Sequence, residues 1–181
     1  MTELPGTGPD EREREILRER ARQLGTPRVE EERRERIEVL RFTLAQEHYA
    51  VQIEFMEEVV PFQHLTPVPC TPSYVMGAVS RRGRVLAVVD LKRFFGLPER
   101  GLVDLNRVVV LSDGTMEFGV MADEVIGVQH VLVSRLGPAP ATLTGIGRNA
   151  LLGVTPQMLI VLDGAGLLSD PRMVVNEDVQ S

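Results

Sequence analysis

The sequence predicts an all-β domain of two similar lobes behind a charged, partly helical N-terminal extension. Three features point there. From Glu38 onward, apolar residues alternate with polar ones or cluster in short runs, the marks of half-buried and fully buried strands. Gly or Pro punctuates most gaps between those runs. The first half of the pattern also returns in the second, with Asp90 and Asp163 lying 163 − 90 = 73 residues apart in matching contexts.

Residues 1–37 are the extension. Residues 1–38 hold 11 acids and 9 arginines, net 9 − 11 = −2, too charged for a core of their own. Asp10 and Glu13 have capping-box spacing, Ile16, Leu17, Ala21 and Leu24 form a thin apolar stripe, and Gly25 can end the helix. Thr26-Pro27 suits a second start. A solvated helical arm is favoured over a partner-binding helix. Leu40, Phe42 and Leu44 then alternate with Arg41, Thr43 and Ala45, a turn is expected near Gln46-Glu47, and Tyr49, Val51 and Ile53 alternate on the return. Further strands are expected at 57–60, 75–79, 84–89, 107–111, 117–122, 125–133, 150–154 and 157–162. Many short strands with few helices indicate a barrel or sandwich.

The echo divides this run in two. "RVLAVVDLKRFFGL" (84–97) matches "QMLIVLDGAGLLSD" (157–170): apolar strand residues, an Asp, then a paired apolar dipeptide. "YAV" (49–51) with "EVV" (58–60) matches "FGV" (118–120) with "EVI" (124–126). Lobe one is expected at about 40–100 and lobe two at about 105–170, with their apolar faces in contact. Asp90 and Asp163 each stand where a strand stops and a helical turn begins, so both read as helix caps rather than catalytic acids.

Composition narrows the function. The chain has 181 residues, 43% of them hydrophobic, and a net charge of −6, which disfavours nucleic-acid binding. One cysteine, no apolar leader and no run near the ~18 apolar residues of a membrane helix give the expectation of a cytoplasmic protein without membrane insertion. His48, His64 and His130 are scattered, so no metal or cofactor is expected. Cys70 lacks a flanking cation and reads as a loop residue. Glu57-Glu58 and Asp123-Glu124 read as solvated charges at strand edges. With no catalytic constellation, a protein-interaction module is favoured. The alternative is an enzyme or small-ligand carrier using the lobe junction, with Asp90 or Asp123 as its acid. A third reading makes the N-terminal helix the active element.

"MGAVSRRGRVLAVVDLKRFFGL" (76–97) resembles the signature segment of the CheW family, adaptors of bacterial chemosensory arrays. "RFTLAQEHYAVQIEFMEEVV" (41–60), "TPVPCTPSYVMG" (66–77), "FGVMADEVIGVQHV" (118–131) and "LLGVTPQMLIVLDGAGLL" (151–168) are similar to the family's other segments in collinear order. The resemblance implies a CheW-like domain at 38–172, two five-stranded barrels around a shared core, and a C-terminal tail at 173–181. It implies a non-catalytic scaffold that binds the cytoplasmic tip of a chemoreceptor and the regulatory domain of a CheA-type histidine kinase. Carried across, Arg82 takes the place of the family's receptor-contacting arginine. Gly77 takes that of a glycine approached by a partner backbone, and Met56, Glu58 and Val59 fall on the strand lining the receptor groove. Two positions depart from the pattern: Ser80 stands where Asn is usual in the family, Ala87 where Pro is usual.

Overall fold

The computed structural model describes residues 35–62, 64–97, 107–138 and 150–173, together with Glu15. Contacts separate Met1–Arg36 from a compact unit that begins at Ile37. The helices expected in the extension fall outside the described residues apart from Glu15, which is helical, and so does the chain after Met173.

Ten strands form close to the expected positions, with two differences: Ile53 belongs to a 3-10 turn, and residues 157–159 precede the last strand. The strands are β1 (Arg36–Leu44), β2 (Glu47–Gln52), β3 (Met56–Pro61), β4 (Val75–Arg81), β5 (Arg84–Val89), β6 (Arg107–Ser112), β7 (Glu117–Ala122), β8 (Glu124–Leu132), β9 (Leu151–Val154) and β10 (Ile160–Leu162). Helix α1 (Leu91–Phe94) follows β5, and helix α2 (Gly164–Leu168) follows β10. The first turn is Ala45-Gln46, one residue earlier than expected, because Leu44 pairs directly with Glu47.

One five-stranded sheet has the order β8-β1-β2-β10-β9 and the other β3-β6-β7-β5-β4. The two repeats are therefore not the two sheets, which corrects the expected lobes at 40–100 and 105–170. The hairpin β1–β2 of the first repeat joins β8, β9 and β10 of the second, while β6–β7 joins β3, β4 and β5. Each exchange is sealed by one parallel pairing, β10 with β2 and β5 with β7. The cause is the shortness of the connections. Only the 3-10 turn Ile53–Phe55 separates β2 from β3, and only Asp123 separates β7 from β8, so the chain turns a corner into the other sheet. The edges of each sheet then curl together. Thr66 and Ala78 exchange backbone hydrogen bonds of 2.8 Å, as Gly137 and Val154 do at 2.9 Å.

Alternation distributes the apolar side chains among three cores. Val39, Ala50, Val131, Leu159 and Val161 fill one barrel; Leu86, Val88, Val108, Val110 and Met121 fill the other. Between the barrels lies a larger shared core containing Leu40, Phe42, Tyr49, Val89, Phe94, Phe95, Val109, Phe118, Val120 and Leu162. Successive residues of one strand thus serve different cores, which is why runs such as Val108–Val110 are apolar without a break. Asp90 and Asp163 accept hydrogen bonds from Lys92 N and Gly166 N at 2.8 and 3.0 Å and start α1 and α2. The last described turn, Pro171–Met173, docks on α1 with the Arg172 guanidinium 4.3 Å from the Phe94 ring centre. The adjacent Arg172 holds the Asp170 carboxyl below its usual range.

Gly77 is buried on β4 with φ +148°, and a Cβ there would lie 2.7 Å from the Thr66 carbonyl oxygen. Gly153 on β9 repeats the arrangement, with φ +155° and 2.8 Å to Gly137 O. The chain's own backbone occupies the space that a partner was expected to approach, so the structure gives Gly77 a folding role. Gly77→Ala and Gly153→Ala are each expected to cost about 2 kcal/mol or more in urea unfolding. Gly83→Ala, in open space at φ +77°, should cost roughly 1 kcal/mol. A second expectation concerns Tyr49, whose hydroxyl donates to Glu47 at 3.0 Å. Burial first, and this bond to a carboxylate second, push its pKa above the ordinary value. The unfolded state then loses this proton at lower pH than the folded one. The stability contribution is complete below pH ~10 and disappears as pH rises through the folded value. Melts from pH 9 upward should fall more steeply for the native chain than for Tyr49→Phe.

Candidate functional site

The β4–β5 hairpin closes through two residues, because Arg81 pairs with Arg84. Both turn residues have positive φ, Arg82 at +46° and Gly83 at +77°, the type I′ pattern that matches strand twist and favours Asn-Gly. Ser80, which stands where Asn is usual in the family, lies in β4 opposite Val85 and not in the turn. Arg82 is thus a long β-unbranched cation held in a conformation more readily adopted by Asn or Gly. Its side chain is 71% exposed.

Although β3 and β4 are opposite edges of their sheet, barrel closure brings them together at this hairpin. Arg81 pairs with Glu58, and both side chains are mostly covered. Arg82 Nη2 lies 3.4 Å from the same carboxylate and Nη1 lies 3.8 Å from Glu57. Exposed pairs of this kind contribute at most about 1 kcal/mol, so Arg82 can exchange them for another acceptor.

The sequence-predicted residues divide between two faces of β3. Glu57, Val59 and Pro61 face outward, while Met56, Glu58 and Val60 are half buried. Met56 packs against the shared core, which corrects its expected place beside Val59 in an exposed groove. Three residues apart on a strand, the two side chains point to opposite faces. The structure brings together Arg82, Glu58, Glu57 and Val59, and Phe62 adds an exposed aromatic ring just past the end of β3. Sequence reasoning missed Glu57, Phe62 and Arg81 in this role; the Arg-Arg dipeptide opposite Glu-Glu was the available signal.

Asp123, expected as a solvated edge charge, is buried. Its Oδ2 accepts from Ala45 N at 2.7 Å and its Oδ1 from Lys92 Nζ at 2.8 Å. Thr43 O accepts from Asp123 N at 3.0 Å. One carboxylate therefore joins the β1–β2 turn, the β7–β8 corner and α1. Asp90 is likewise engaged, capping α1 with Arg93 Nε 3.8 Å away.

The CheW-like domain family model matches residues 38–172. The chain belongs to the CheW family. It is 30% identical over 146 residues to the chemotaxis protein CheW of Treponema pallidum, covering 77% of this chain and 86% of that one. It is 39% identical over 90 residues to protein FrzA of Myxococcus xanthus, covering 50% of this chain and 56% of FrzA. The crystal structure of the scaffolding protein TtCheW from Thermoanaerobacter tengcongensis superposes with a TM-score of 0.63 at 28% identity, covering 70% of this chain and 83% of that one. The CheW family is a non-catalytic scaffold family, which replaces the enzymatic alternative as the basis for reading the molecule.

In this CheW-family fold, Lys92→Met strands the buried Asp123 carboxylate without its cation. Urea unfolding is expected to show a loss of about 3 kcal/mol or more. The double variant Lys92→Met/Asp123→Asn should recover a substantial part of that loss, because no uncompensated charge remains. Equal losses in the single and double variants would show that the loss does not come from a stranded carboxylate charge.

Proposed function

We propose that this protein is a cytoplasmic adaptor in a chemosensory array, coupling the cytoplasmic tip of a chemoreceptor to the regulatory domain of a CheA-type histidine kinase. Family membership supports the scaffold class. The observation that carries the receptor site is Arg82, an exposed cation kept at a turn position where its own backbone conformation is disfavoured. The fold requires a two-residue turn there but not a guanidinium. Ala45, in the same conformation at the other two-residue turn, has a folding reason through its bond to Asp123.

In this reading the apolar face of a receptor helix rests on Val59 and Phe62, and Arg82 gives its hydrogen bonds to a carboxylate or carbonyl at the edge. Glu57 and Glu58 hold the guanidinium in place until then and disfavour an acidic partner surface over β3 itself. Glu58 acts from within the seam, and Met56 supports the strand from the core side. No described helix is long and apolar enough to cross a membrane, and association with the receptor array runs through the partners.

Pull-down with a receptor signalling fragment and with a CheA regulatory domain tests the reading directly; capture of neither would overturn it. Arg82→Glu should weaken the receptor fragment by about tenfold or more while shifting the thermal midpoint little, since the side chain is exposed. Arg82→Asn separates the two roles. It should match or raise native stability by up to about 1 kcal/mol, because Asn suits the turn, and still lose receptor binding. A large loss of stability in either variant would make Arg82 structural.

A further inference from the structure

We propose that the mouth of the barrel between β3 and β4 is a socket for one large apolar side chain of the receptor segment, with Arg81 bonding an oxygen beside it. This rests on the receptor-binding reading above and adds a site to it. A cavity of about 250 Å³ opens between the two strands, lined by Val60, Leu65, Val79 and Val108, with Pro61, Ser80 and Arg81 at its polar side. Sites for drug-sized ligands and cofactors run from roughly 300 to 1,000 Å³, so this volume suits a Leu, Met or Phe side chain better than a free cofactor. Val60, Leu65 and Val79 pack against the barrel core yet are only partly buried, so the core is left unfinished on this side.

The polar wall states what must accompany the side chain. Arg81 Nη2 is taken by Glu58, while Nη1 is buried with no acceptor among the described residues. A buried donor without a partner is costly, and an oxygen brought in by a ligand removes that cost. Glu58 already balances the arginine charge, so a peptide carbonyl beside the inserted side chain suffices. The socket also adjoins the face already described. Pro61 follows Val59 by two residues, about 7 Å along the strand, and Arg81 directly precedes Arg82. A helix or hairpin lying across Val59 with its oxygen at Arg82 places a neighbouring side chain over the mouth. A central apolar anchor in a desolvated pocket, ringed by polar contacts, is how protein interfaces concentrate their affinity.

The test uses the full chain with methyl-labelled Leu and Val, titrated with the receptor signalling fragment. Binding with large shifts of the Leu65, Val79 and Val108 methyls is the expected result. Binding with shifts confined to Val59 and its neighbours overturns the socket and leaves the receptor reading standing. An absence of binding overturns both. Shifts of the same methyls that grow with protein concentration alone, or that hexanoate produces when the fragment does not, assign the cavity to a second copy or a small amphiphile and overturn the proposal. Leu65→Phe and, as a milder filling, Val79→Leu provide the second measurement. Each should melt at or above the native temperature, because it occupies existing space, and should weaken the fragment by about tenfold. A filled, folded variant that binds the fragment as well as the native chain overturns the proposal.

Discussion

The fold depends on two corners at which the chain leaves one sheet for the other. At the first, Gln52 Oε1 accepts from Gly164 N at 2.9 Å, and the Phe55 ring lies against Gly164, where a Cβ would come within 2.5 Å of it. At the second, Asp123 joins Ala45 N and Lys92 Nζ. Each corner therefore docks on the short helix that follows a parallel-paired strand, once by a hydrogen bond to a side-chain amide and a ring and once by an ion pair. The two halves use unlike chemistry for the same task. Neither half can complete a five-stranded sheet alone, because each sheet takes two strands from one half and three from the other.

That exchange explains the shared core. A hairpin lent to the opposite sheet carries one apolar face into the host barrel and turns the other toward the interface. Tyr49 and Val51 therefore face the shared core while Ala50 fills a barrel. The junction that offered an enzyme or carrier a pocket is instead packed with Phe42, Tyr49, Phe94, Phe95 and Phe118. The barrel surfaces and seams, where strand edges meet over few hydrogen bonds, are where the proposed binding falls. The seam between β3 and β4 is such a place. It brings two arginines against two glutamates and leaves Val59 and Phe62 exposed beside them.

The strands were legible because period-two alternation and short apolar runs are local consequences of which faces are buried. The capping geometry of Asp90 and Asp163 was legible for the same reason, since a cap is satisfied by backbone groups two or three residues away. Arg82 stood out because the segment around it, 76–97, resembles the family's signature segment. The grouping of Met56 with Val59 failed because residues three apart in a strand face opposite sides, and β3 keeps that alternation from Met56 to Pro61. Asp123 was misplaced because its partners, Ala45 and Lys92, lie 78 and 31 residues away in the chain. Gly77 was given to a partner because its neighbour in space, Thr66, belongs to an otherwise irregular linker.

By itself the sequence determined the all-β class, the approximate positions of the ten strands and the internal repeat. All of these arise from side-chain periodicity and from residues close together in the chain. Tertiary structure decided which hairpin belongs to which sheet, because the pairings of β2 with β10 and β5 with β7 are parallel and long-range and leave no local trace. It also decided that the carboxylate of Asp123 is buried and that Arg81 faces a seam. A charge records its environment only when distant segments close around it.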